Sequence, residues 1–215
     1  MIDAGKMLPL FREACVAAKG EGYCTPQVVQ ALMAVSRHET CFSGCKPFIG
    51  ANNFGAIQCG VVADKTGKCP ESCIPARDTS PTSTGASVSY LGCFEAKPSE
   101  AAGVRRFVEL MTVKRPLIAA ALPSADAGEI AWAMRKSYYF EGFGKTQEER
   151  VHNYAAAILR NAQLNAAQLK TEVLVTYEPP PPPAEPIGGD TAAGVGFTVA
   201  ALTAALVARL TGDKK

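Results

Sequence analysis

The chain has 215 residues, enough for one sizeable hydrophobic core plus appendages. Its 22 basic and 20 acidic residues are interspersed and leave a formal net charge of +2. That balance excludes the one-sided basic footprint of a nucleic-acid binder.

The first stretch, MIDAGKMLPLFREACVAAKG, lacks a basic segment followed by an unbroken apolar run, so it does not read as a secretory signal. Thr25-Pro26 supplies a cap and a proline at the first helical position. Val28, Leu32, Val35 and Glu39 then follow at spacings that place them on one helical face, with Glu39 closing the apolar stripe. A Cys/Gly-rich loop leads into ANNFGAIQC, residues 51–59. Between Cys59 and Cys93 periodicity fades and Gly, Pro, Ser and Thr cluster, with ASVSYLGCF as a short strand. From Ser99 a second amphipathic helix is expected, burying Val104, Phe107, Val108 and Met111. RPLIAAALPSADAGEIAWAMRKSYY reads as two short helices broken at Pro123-Ser124. Thr146 and Glu149 form a capping box opening a last helix, with Val151, Tyr154, Ala155, Ile158 and Leu159 inward. The expected fold is therefore mainly α, a helical body with a small irregular or β, cysteine-rich lobe.

That body is expected to occupy residues 1–172. Residues 173–190 contain five consecutive prolines, Pro179 to Pro183, which favour a semi-rigid polyproline spacer. Residues 191–215 follow as a C-terminal apolar helix: Thr191 to Ala208 carries no charge, with Glu178, Glu185 and Asp190 before it and Arg209, Lys214 and Lys215 after it. Length and flanks predict a transmembrane anchor with its basic tail inside; the competing reading is an Ala-rich helix packed on another subunit.

All eight cysteines lie between Cys15 and Cys93. An even, localised set predicts disulfides and an oxidising compartment, in preference to zinc held by Cys41, Cys45, Cys69 and Cys73. The pairing stays open. With no signal sequence recognised, either delivery to that compartment is by another route or the cysteines stay reduced.

Glu39 is the first candidate for chemistry. A carboxylate at the edge of a core is partly desolvated, which keeps it protonated and suits a general acid. The bland alternative is a helix-end glutamate paired with Arg37 or a backbone amide. Asn52, Asn53 and Phe54 offer planar amides and a ring, the parts carbohydrate sites use, and Gly55 lets backbone approach a ligand. A Cys41–His38 nucleophile would need a free thiol. His38 and His152 open no metal motif, and Gly194-x-Gly196 lies in the apolar tail, so no metal or other cofactor is expected.

A glutamate ending a helix, then a loop, then Asn-Asn-Phe-Gly-x-Ile resembles the bacterial and phage N-acetylglucosaminidases of glycoside hydrolase family 73. CFEAKPSEAAGVRRFVELM is similar to that family's Phe-x-x-Tyr-x-Ser segment, with Lys97 in the tyrosine's place. SYYFEGFGKTQEERVHNYAAAI is similar to its closing segment, and together the resemblance covers residues 25–162. It implies a lysozyme-like fold that cleaves β-1,4 glycosidic bonds of peptidoglycan, with Glu39 as general acid. It further implies Asn53 in the cleft floor and Tyr139 as the cleft tyrosine, with Tyr138 as the adjacent alternative. Asp78 is the expected second acid, chosen over Asp64 and Glu71 by its distance from Phe94. Without a working second acid, assistance by the substrate's N-acetyl group or a lytic transglycosylase reaction would serve. The non-enzymatic alternative is a peptidoglycan-binding or structural virion protein. The partners expected are glycan strands and, through 191–215, a membrane; the location is the cell wall or periplasmic side, membrane-anchored or virion-associated. A phage particle or holin would explain delivery without a signal.

Overall fold

The structure is a computed structural model describing residues 3–81, 87–140 and 144–179. Six α-helices and a three-stranded antiparallel sheet follow in the order α1 (Ala4–Lys19), α2 (Pro26–Thr40), β1 (Gln58–Val62), β2 (Cys73–Pro81), β3 (Ser87–Glu95), α3 (Glu100–Glu109), α4 (Pro116–Ala121), α5 (Ala127–Lys136) and α6 (Gln147–Leu169). The mainly helical body with one cysteine-tied lobe is therefore present. The lobe is more regular than its composition suggests: β3 lies between β1 and β2.

The helix starts follow their caps. Thr25 accepts from the Val28 amide, Ser99 from Ala102, Asp126 from Glu129 and Thr146 from Glu149, each filling a donor the first helical turn leaves open. The Glu149 carboxylate reaches back to the Lys145 amide (2.7 Å), one residue before the usual capping-box partner. Between α4 and α5, Leu122–Ser124 makes a single 3-10 turn, the break expected at Pro123.

α2 is the centre of the body. Every residue from Val28 to Arg37 is buried, so this helix has no solvent face, where the sequence predicts one apolar stripe. The reason lies in its small residues: Ala31, Ala34 and Ser36 let α1 and α6 pack where the pattern leaves a polar side. Below it, Phe11 of α1 meets Phe42, Phe54 and Phe107 edge-on at 5.9, 6.2 and 6.0 Å, an arrangement that suits the ring quadrupoles. The predicted stripe Val104, Phe107, Val108 and Met111 is buried against it.

All eight cysteines are paired: Cys15–Cys24, Cys41–Cys45, Cys59–Cys73 and Cys69–Cys93. This removes the thiolates a zinc site needs and the free Cys41 a thiol nucleophile needs. The last two bridges tie β1 to β2 and the 69-loop to β3. They staple a lobe whose own apolar cluster is only Phe48, Ala76 and Phe94, flanked by Ala56 and Ile74.

After α6 the chain stays on the body. The Gln30 side chain donates to the Glu172 carbonyl and accepts from the Leu174 amide (both 2.8 Å), Val175 is buried, and Thr176 bridges to the start of α5. One buried glutamine thus holds the first residues after 172 on the body, and the compact unit runs to Pro179. The expected apolar helix, 191–215, lies outside the described residues. Among those that are described, no helix is long and apolar enough to cross a membrane.

Candidate active site

Glu39 is the next-to-last residue of α2, where the buried helix emerges at its junction with the β-lobe. Two elements close around it. From α6, Tyr154 donates its hydroxyl to Glu39 Oε1. From the segment after α5, the Phe140 ring stacks on Tyr154 at 3.8 Å between centroids, and His38 meets the same ring edge-on at 4.7 Å. Tyr139, from that same segment, donates to the Gly55 carbonyl at 2.6 Å. The Arg115 guanidinium donates to the Ser137 carbonyl and Arg135 to that of Phe140 (3.0 Å), which hold the segment in place.

This enclosure sets the charge. Burial pushes the Glu39 carboxyl up to about 7; the Tyr154 hydrogen bond opposes the shift, and the negative charge of Asp78 adds to it. Both tyrosine hydroxyls rise well above their ordinary 10, through burial first and the Glu39 charge second. They therefore remain neutral donors throughout the range in which Glu39 titrates. A carboxyl half protonated near neutrality is matched to giving a proton and taking it back.

Asp78 lies on β2, close enough for its charge to be felt at Glu39. Its Oδ2 accepts from Gln58 Nε2 (2.6 Å) and from the Tyr90 hydroxyl (2.9 Å). Of the candidate acids, Asp64 is instead spent on its own turn, accepting from Thr66 and Lys68.

The Asn-Asn-Phe-Gly turn has a different role from the one expected. Asn53 is buried; its amide donates to the Ile57 and Glu95 carbonyls (2.9 Å each) and its oxygen accepts from the Gly55 and Ile57 amides (3.3 and 2.9 Å). Every polar atom of that side chain is used inside the protein, so Asn53 joins the turn to the end of β3 and does not line a sugar floor. Phe54 is fully buried on Phe11, leaving no ring face for a sugar. Asn52 donates to the Lys97 carbonyl at 2.8 Å, and its own carbonyl presses on Gly103, where an added Cβ would come within 1.9 Å. The turn is thus a junction that sets the lobe against the body, and its Gly55 carbonyl meets Tyr139 at the site. Lys97, in the place of the expected tyrosine, forms an ion pair with Glu95 at 3.0 Å beside Arg106. Tyr138 is 88% exposed with φ of 54°, a backbone conformation that side chains rarely adopt.

In the sequence Tyr154 reads as part of a buried stripe and of the closing segment, with no role at Glu39, and nothing there points to Gln58 or Tyr90. The capping box did fix the phase of α6, so Tyr154 was within reach. The pairing of Tyr90 with Asp78 needed the register of a hairpin that no turn motif announces. Among the described residues no cluster of three or more His, Cys, Asp or Glu could hold a metal ion. A pocket lined by Leu117, Glu129, Trp132, Ala133 and Lys136 includes none of the residues around Glu39.

No protein-family model and no curated protein matches the sequence. Solved structures do. A peptidoglycan hydrolase mutant from Sphingomonas sp. A1 superposes with a TM-score of 0.51 at 16% identity, over 76% of this chain and 94% of that one. The catalytic domain of the autolysin Auto from Listeria monocytogenes gives 0.48 at 8% identity, over 77% and 84%. A truncated glycoside hydrolase domain of FlgJ from Salmonella typhimurium gives 0.42 at 18%, over 77% and 99%. The helical body and β-lobe of this chain therefore share the fold of the Sphingomonas peptidoglycan hydrolase.

Proposed function

We propose that the chain is a glycoside hydrolase that cleaves a β-1,4 bond of the peptidoglycan glycan strand, of the N-acetylglucosaminidase type suggested by its sequence resemblance. The observation that carries this reading is Glu39: a carboxyl lifted to about 7 at the end of α2, with the charge of Asp78 felt there. Glu39 protonates the glycosidic oxygen as the bond breaks. Asp78 serves as the second acid, stabilising the positive charge that develops on the sugar or activating the attacking group. Tyr139 and Tyr154 hold the acid and its floor in place, and the exposed Tyr138 ring offers a face for a sugar. Four disulfides fit work in an oxidising, extracytoplasmic compartment, where the wall is.

The test is digestion of purified peptidoglycan by the full chain, wild type beside Glu39→Gln, with products read by mass spectrometry. Reducing-end N-acetylglucosamine made by wild type alone is the expected result. Anhydromuramyl ends would make the enzyme a lytic transglycosylase. No products from a folded, disulfide-intact wild type would overturn the enzymatic reading and leave a wall-binding protein.

A further inference from the structure

We propose that Gln58 and Tyr90 are positioning residues that hold Asp78 as an oriented carboxylate for the glycosidic reaction; the inference rests on the reading of Asp78 as second acid. The argument begins with register. β2 and β3 pair antiparallel with Ile74 opposite Phe94, Ala76 opposite Gly92 and Asp78 opposite Tyr90. Because side chains alternate along a strand, these six share one face of the sheet, and Gln58, opposite Phe94 on β1, reaches over it from the other side of β3. The inner end of this face is apolar, where Phe94 and Ala76 close on Phe48. Its outer end is polar, and only there do three side chains converge.

Gly92 makes the convergence possible. A Cβ at this position would lie 3.1 Å from the Phe94 ring and 3.3 Å from the Tyr90 ring. Two aromatic rings therefore lean over the gap that glycine leaves, and the Tyr90 hydroxyl is carried to Asp78. The three polar groups bond one another: Gln58 Nε2 to Asp78 Oδ2 at 2.6 Å, Gln58 Nε2 to the Tyr90 oxygen at 2.9 Å, and the Tyr90 hydroxyl to Asp78 Oδ2 at 2.9 Å.

Donor and acceptor identity settles the direction of each bond. An amide NH2 can only donate, and with the amide reversed its oxygen would face a carboxylate oxygen at bonding distance. Tyr90, accepting from Gln58, has its own proton left for Asp78. Partial burial, with Asp78 adding to it, raises the Tyr90 hydroxyl, so the phenol stays protonated. Two donors on one oxygen are satisfied by an acceptor-only carboxylate, and they fix its plane. Beside the desolvated acid Glu39, Asp78 is thereby held in one orientation, ready to act as base or charge stabiliser.

The experiment measures kcat and KM of the full chain on solubilised glycan strands for wild type, Asp78→Asn, Tyr90→Phe, Gln58→Met and Gln58→Glu. Thermal unfolding with disulfides intact confirms that each variant folds. Gln58→Glu keeps the shape of the side chain but turns the donor into a charged acceptor, so it separates electrostatic clamping from packing. Expected are kcat losses of about tenfold to a hundredfold for Tyr90→Phe and Gln58→Glu, with KM within about twofold of wild type. Gln58→Met should lose less than Gln58→Glu. An inactive Asp78→Asn beside wild-type kcat in Tyr90→Phe and Gln58→Glu would overturn the clamp alone. A fully active Asp78→Asn would overturn the second-acid reading and the clamp with it. Equal losses in Gln58→Met and Gln58→Glu would reduce Gln58 to a packing role and refute its part.

Discussion

Replacing Glu39 by glutamine should abolish activity and stabilise the protein, the second effect growing above about pH 4.5 and full above about pH 7. The carboxyl is lifted from an ordinary 4.5 to about 7 because burial disfavours its charge. At about 1.4 kcal/mol per pH unit, ionising it in the folded state costs about 3 kcal/mol more than in the unfolded chain. The folded state holds this proton more tightly, so the contribution is full below about pH 4.5, declines as pH rises, and is lost above about pH 7. Glutamine has nearly the same shape, its oxygen can still accept from Tyr154, and it never ionises. A domain of this size moves about 2–4 °C in Tm per kcal/mol, so Glu39→Gln should melt about 6–12 °C above wild type at pH 8.5. At pH 4.0 the two should agree within about 2 °C. Calorimetry of disulfide-intact protein at both pH values measures this directly, beside a fall in glycan cleavage of about 10²- to 10⁴-fold. An equal Tm difference at both pH values would refute the argument that burial sets the charge of Glu39. So would a glutamine variant less stable than wild type at pH 8.5.

Three further predictions bear on the surroundings. Tyr154→Phe removes the one hydrogen bond that favours ionised Glu39, so the carboxyl should rise further and the alkaline limb of the pH–activity profile should move to higher pH; an unmoved limb would detach Tyr154 from the acid. Gly103→Ala would drive a methyl into the Asn52 carbonyl, which backbone cannot easily yield, and should cost about 2–3 kcal/mol by denaturant unfolding. The Cys69–Cys93 bridge spans 24 residues, so Cys69→Ser with Cys93→Ser should cost about 3 kcal/mol by chain entropy. That loss should fall on the β-lobe, with hydrogen exchange accelerating in β2 and β3 before α2.

The resemblance and the geometry part company on the turn. Asn-Asn-Phe-Gly offers sugar-binding chemistry when read as a list of side chains, because amides and rings serve equally well outside and inside a protein. Burial decides between those uses: Asn53 spends its whole hydrogen-bonding capacity on four backbone groups, and Phe54 completes the cluster around Phe11.

Local chemistry was sufficient for much of the body. Caps at Thr25, Ser99 and Thr146, the breaker at Pro123 and the stripe from Val104 to Met111 act within a few residues, and the helices they predict are present. The even cysteine count likewise announced a bridged lobe. That Glu39 ends the helix was plain from spacing alone. What encloses it was not, because Tyr154 lies 115 residues away and meets it only when α6 packs on α2. The pairing of cysteines, the burial of α2 on all sides and the meeting of Asp78 with Tyr90 and Gln58 depend on the same kind of distant contact. Such contacts are set by how whole elements fill space, and no short window of sequence carries that information.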